Sequence, residues 1–341
     1  MRGWFDWNNS IPANGFSPSA IPIPRNPSQK RTLNATPAGS GLFFTIIGKN
    51  TPIGNYMGYI EGNFDGYNHV GFKLKKAYFM INDWTVGYTT STFSDPAAQP
   101  PVIDGAGSNG KISKTSILVR YLHNFKKGWT VAGSIEFPGS SFKDQDGITK
   151  RCNDWVPDVA AFGQYQWNRG LSHIRLSGIL RTFTYRDLTA SRNHNRIGYG
   201  LQLSSVVKVT KPLTLYAVAS WGEGYSSYLN DLAGSNVDLI ANPDDPSRLY
   251  APGAMGLMFG AKYNFRHNIY ASMTLSEVQY YQKKPHVASD YRYGLYGAWS
   301  LFWDITPRIQ VGAEYLAGKK VNFNGEHANA NRVDALFMFS F

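Results

Sequence analysis

The side chains best suited to chemistry are cations set at alternate positions in otherwise apolar runs. In residues 171–184, Ile174, Leu176, Gly178 and Leu180 alternate with His173, Arg175, Ser177 and Arg181. A period of two sends successive side chains to opposite faces of a strand. One face is then apolar, and the other carries guanidinium groups. The same parity adds Lys73, Lys75, Arg120, Arg196 and Arg292 to the polar face, together with the acids Glu61, Glu136, Asp158 and Glu314. Such groups attract and orient anions reversibly rather than make bonds. For Arg175 and Arg181 the competing role is pairing with Asp158 and Glu136 to brace a wall. Lys73, Lys75 and above all Arg120 are the stronger solute-contact candidates, because they flank the long segment after Thr90.

Signals of catalysis are weak. Residues 105–111 read GAGSNGK, which satisfies G-x-G-x-x-G and approaches a phosphate-binding loop. Ile112 stands where that loop needs Ser or Thr, and a strand-like run, 116–121, follows instead of a helix. The segment reads as a flexible loop. The histidines (His69, His123, His173, His194, His267, His286 and His327) show no metal-ligand spacing, so no metal or other cofactor is expected. No G-x-S-x-G elbow is present, so the reading is not an enzyme. Cations spread one or two per strand do not form the clustered basic surface of a nucleic-acid binder. Cys152, the sole cysteine, excludes an internal disulfide framework.

The elements that must position these cations are strands. The 341 residues are 17% charged, 43% apolar and 15% aromatic, with 34 glycines. No apolar stretch approaches the roughly 20 residues of a membrane helix. Period-2 segments recur to the end, where Val333, Ala335, Phe337, Phe339 and Phe341 share one face. Tight turns at Asp83, 126–128, 169–170, 211–212, 266–268 and 306–308 alternate with long polar connectors near 138–154, 224–254, 281–290 and 318–331. Short turns on one rim and long loops on the other are the habit of an outer-membrane barrel. About fifteen segments plus a truncated one at the N-terminus predict a 16-stranded, all-β, antiparallel transmembrane barrel. Residues 1–341 read as one such domain. The opening MRGWFDWNNS lacks a secretory signal, so the natural N-terminus is expected to extend further.

Alternation alone does not separate a membrane barrel from a soluble β protein. Three features favour the membrane: Gly and Ala on the apolar face, aromatics near strand ends, and the terminal Phe341. A strand ending in Phe341 fits the signal read by the barrel assembly machinery. The partners expected are therefore outer-membrane lipid and that machinery, and the location is a Gram-negative outer membrane. The formal charge of +11 then suits anionic solutes better than nucleic acid.

The segment Trp84–Gly110 follows what counts as the fifth strand and reads as an inward-folded constriction loop, at about residues 94–113. Its run Val86, Gly87, Thr89, Ser91, Thr92, Phe93, Asp95, then Pro100 or Pro101, Asp104 and Gly110 resembles the DcaP-type porins. Ser10-Ile11-Pro12, 59–66 (YIEGNFDG) and Phe72-Lys73-Leu74-Lys75 resemble further parts of that family. The likeness is concentrated in residues 1–125. It implies a 16-stranded, trimeric barrel that passes small anionic solutes such as dicarboxylates. Lys73 and Lys75 stand where the family is expected to carry Arg, which keeps charge but loses bidentate recognition. Asp95 and Asp104 are expected to pin the loop to the wall. The reading is a passive, anion-preferring porin. The alternative is a surface barrel acting through its long loops as an adhesion or partner-binding module.

Overall fold

A computed structural model describes residues 1–11, 14–64, 71–283 and 288–341. Pro12, Asp65, Gly66, His69 and His286, which figure above, lie outside the described residues. The strands are β1 (Arg2–Trp7), β2 (Thr32–Thr36), β3 (Gly41–Thr51), β4 (Gly54–Asn63), β5 (Lys73–Ile81), β6 (Trp84–Thr90), β7 (Thr115–Asn124), β8 (Trp129–Glu136), β9 (Thr149–Arg151) and β10 (Asp158–Trp167). They continue as β11 (Ser172–Asp187), β12 (Arg192–Lys208), β13 (Leu213–Glu223), β14 (Ile240–Asn242), β15 (Asp245–Tyr250), β16 (Gly253–Arg266), β17 (Ile269–Tyr281), β18 (Tyr291–Thr306), β19 (Ile309–Asn322) and β20 (His327–Phe339).

Eighteen strands form one antiparallel sheet, while β14 and β15 make a separate hairpin. From β1 the ladders run through β20, β19, β18, β17, β16, β13, β12, β11, β10, β8, β7, β6, β5 and β4 to β3. β2 pairs with the other side of β1, and β9 with the end of β11. Among the described residues no ladder joins β2 to β3.

The strand count corrects the expectation of sixteen. The four added strands, β2, β9, β14 and β15, are only 5, 3, 3 and 6 residues long. They arise within connectors, where the alternation is too short to register as a period. Because β2 intervenes, the constriction segment follows the sixth strand rather than the fifth. The 318–331 connector is also corrected: β19 and β20 run through most of it and leave residues 323–326 as the loop.

Burial decides what alternation left open. Along β8, Thr130, Ala132, Ser134 and Glu136 are buried, while Trp129, Val131, Gly133 and Ile135 are exposed. Leu176, Leu180 and Ile197 are 59%, 60% and 70% exposed. The apolar face therefore looks outward, the reverse of a soluble sheet. Inside the curve of the sheet lie apolar clusters brought by connectors. Phe93, Tyr225, Tyr228 and Leu229 pack with Ile179, and Phe16 and Ile21 pack with Tyr296 and Leu316. Phe16 and Phe93 are fully buried, each contributing roughly 2–3 kcal/mol of burial free energy.

Candidate functional site

The segment between β6 and β7 leaves the wall at Thr90 and crosses the polar inner face. Its path is fixed by carboxylates. Glu136 on β8 accepts the Thr92 amide at 2.8 Å. Asp95 accepts from Ser204 on β12 at 2.6 Å, and lies 2.8 Å from His173 Nε2 and 3.7 Å from Arg175. Burial raises the Asp95 pKa, but His173, Arg175 and Ser204 outweigh it and hold the carboxyl below its usual range. Glu314 on β19 accepts the amides of Ile103 and Asp104 at 2.8 and 2.7 Å. Asp104 itself accepts the Phe16 amide at 2.8 Å and the Tyr296 hydroxyl at 3.2 Å.

Two close approaches complete the docking. A Cβ on Gly260 would lie 2.5 Å from Pro100 Cγ, so the bare wall glycine admits that ring. A Cβ on Gly110 would meet the Leu257 and Glu277 carbonyl oxygens at 2.5 and 2.8 Å, so only glycine lets the loop lie flat there. Ser108, Asn109 and Gly110 are buried. Residues 105–111 are thus a packed loop, not the flexible one the sequence suggested. The missing signal was the polar wall they hydrogen-bond to.

The predicted basic residues separate into two groups. Arg181 is fully buried, with Nε 3.2 Å from Asp158 and Nη1 3.0 Å from Asp238. It also donates to the Gly139 and Gly224 carbonyls, tying two long connectors together. Arg175 donates to Gln164 and to the Ser94 carbonyl, stacks on Phe162, and pairs with Asp95 rather than Asp158. Arg196 donates to the Leu249 carbonyl at 2.7 Å, against the β14–β15 hairpin. These three brace the structure. Arg292 is exposed and is the extra residue of a bulge between Tyr291 and Tyr293, so parity does not fix its face.

The second group gathers where the loop leaves the wall. Arg120 faces inward from β7; its Nη1 reaches the Thr90 carbonyl only at 3.5 Å, and its buried Nε has no partner. A bulge next to Glu61 changes the parity of β5, so that Lys76 stands opposite Glu61 and pairs with it at 3.2 Å. The ladder from β5 to β6 stops at Ala77–Tyr88, which leaves the upper part of β5 beside the departing loop. There a cleft of about 430 Å³ is lined by Lys73, Lys75, Lys111 and Lys114, with no carboxylate in its lining among the described residues. Lys111 and Lys114 were missed in the sequence, where they sat beside a discounted phosphate-loop pattern. Burial, and then the Arg181 guanidinium, push Lys114 down to about 8.

The inward loop, the inverted burial and the sheet order have a match. Residues 3–148 match the family of DcaP outer membrane proteins. The DcaP-type resemblance is borne out over that region. The fold is similar to the outer membrane channel DcaP of Acinetobacter baumannii, with a TM-score of 0.83, 20% identity, and coverage of 100% of this chain and 95% of that one. It is also similar to an anion-selective porin from Comamonas acidovorans, with a TM-score of 0.64, 9% identity, and coverage of 100% and 99%. OmpT of Vibrio cholerae aligns with a TM-score of 0.58, 9% identity, and coverage of 100% and 95%. A search of curated proteins finds no match. The chain is an outer-membrane protein of the Gram-negative type, with a fold similar to that of porins.

Proposed function

We propose that this DcaP-like protein is a passive porin that admits small anionic solutes, with dicarboxylates the class the family resemblance suggests. The observation that carries the reading is the cleft where β5 meets the constriction loop, which gathers four lysines and, among the described residues, no carboxylate. Ammonium groups concentrated in a narrow, low-dielectric passage raise local anion concentration. Arg120, whose guanidinium is only weakly engaged, extends that field inward. Asp95, Pro100, Asp104 and Gly110 hold the loop in place, and Arg175, Arg181 and Arg196 hold the wall. The assembly proposed is a homotrimer, by analogy with the family. No cofactor is part of the reading; the solute gradient drives passage.

Planar-bilayer recording across a salt gradient tests this. The wild type should show an anion-preferring reversal potential, and Arg120→Ala with Lys73→Ala should move it toward zero. Cation preference in the wild type, or unchanged selectivity in the double variant, would refute it. The alternative is a barrel presenting its loops to a partner. In its favour, connectors carrying Phe16, Phe93, Tyr228 and Leu229 fill part of the interior. That reading expects folded protein with no conductance.

A further inference from the structure

The short-turn rim carries a charge pattern that the solute path does not use. Lys126 and Lys127 form one turn, Arg169 another, Lys211 a third, and Arg266 and Arg308 close two more; all six are exposed. None of the six side chains has an ion pair among the described residues. Within these turns the only carboxylate is Asp83, and it is held by His123 at 2.7 Å. These turns thus carry six of the chain's 34 Lys and Arg residues against one acid, and Asp304, two residues before 306–308, accepts from Gln310 at 2.7 Å. The long connectors differ: residues 138–157 alternate Lys143, Lys150 and Arg151 with Asp144, Asp146 and Asp154.

Each basic turn sits next to an outward-facing apolar ring or chain. Phe125 and Trp129 flank Lys126 and Lys127, Trp167 precedes Arg169, Val209 precedes Lys211, Phe265 precedes Arg266, and Ile305 lies three residues before Arg308. Phe125, Trp129 and Phe265 are more than half exposed. Exposed Trp and Phe at strand ends mark the level where hydrocarbon gives way to headgroups. A cation one to three residues beyond such a side chain emerges among the headgroups themselves. Lys and Arg at that depth attract anionic lipid with strong salt dependence.

We propose that the short-turn rim is a binding collar for anionic phospholipid headgroups in the leaflet on that side of the membrane. The recognised chemistry is the phosphodiester of a lipid whose headgroup adds no positive charge. The collar ranks lipids around the barrel, and is distinct from the lysine cleft at the loop.

The rim tryptophans supply the probe. The protein is reconstituted in phosphatidylcholine vesicles containing a trace of headgroup-dansylated phosphatidylglycerol or, separately, dansylated phosphatidylcholine. Sensitised dansyl emission on tryptophan excitation, taken as the difference from a variant with Trp129 and Trp167 replaced by Phe, reports which lipid lies beside those two residues. The anionic probe should exceed the zwitterionic one by about fivefold per engaged headgroup. That excess should collapse in 1 M salt, where the Debye length is about 3 Å. A variant carrying K126Q, K127Q, R169Q, K211Q, R266Q and R308Q should lose the excess while keeping heat-modifiable migration and the wild-type reversal potential. Equal emission from both probes, or an excess indifferent to salt, overturns the proposal, even if the sixfold variant does not fold. So does a variant that keeps the lipid excess but loses anion preference, since the rim would then be steering solute.

Discussion

Arg120 and Arg181 show how the same residue type does different work one strand-pair apart. Both sit on inward positions of alternating strands, and parity gives them equal standing. Arg181 is enclosed by Asp158 and Asp238, so its charge is spent inside the wall. Arg120 has a 3.5 Å contact and a buried Nε with no partner. Nothing local in the sequence distinguishes them, because the deciding carboxylate, Asp238, comes from a connector 57 positions away in number and is recruited only by folding. Lys114 makes the sharpest test at this scale. With its pKa lowered to about 8, it is charged below that pH and neutral above it. Anion preference should therefore fall as pH rises from 7 to 9, and Lys114→Gln should abolish that step. Reversal potentials at the two pH values check this; a wild-type profile flat across the window would remove Lys114 from the field.

The constriction loop is the element on which the functional reading turns. Its position, its proline content and its two acids were legible in the sequence, and both acids accept hydrogen bonds from the wall. Its anchors were not legible: Glu136, His173, Ser204 and Glu314 lie on four strands, and pairing across the interior leaves no spacing signal. Strand faces were readable wherever alternation was unbroken, as in β8 and β11. They failed at the bulges beside Glu61 and Arg292, where one extra residue shifts the parity. A charge-assisted hydrogen bond contributes about 1.5–3 kcal/mol. Glu314→Gln with Asp95→Asn weakens the anchors at both ends of the loop's crossing, so single-channel conductance should become larger and noisier. Conductance and open-channel noise equal to wild type would show that these carboxylates do not hold the loop.

At the scale of the whole molecule, the inverted burial turns the outer wall into a lipid surface. Leu176→Arg on that surface should cost about 2–4 kcal/mol if the site lies near the bilayer midplane. Urea unfolding in liposomes measures it, and a change near zero would contradict the outward lipid face. The loop's reach has a different consequence, for the order of assembly. Ile103 is bonded to Glu314, a partner 211 positions later. Glu314 lies on the second-to-last strand, so the far end of the loop, unlike the near end held by Glu136, His173 and Ser204, has no anchor until nearly the entire wall is in place. Contacts of such sequence separation carry a large closure entropy and form late. The far end of a segment made in the first third of the chain is thus expected to settle last, after the strands made at the very end have joined the wall.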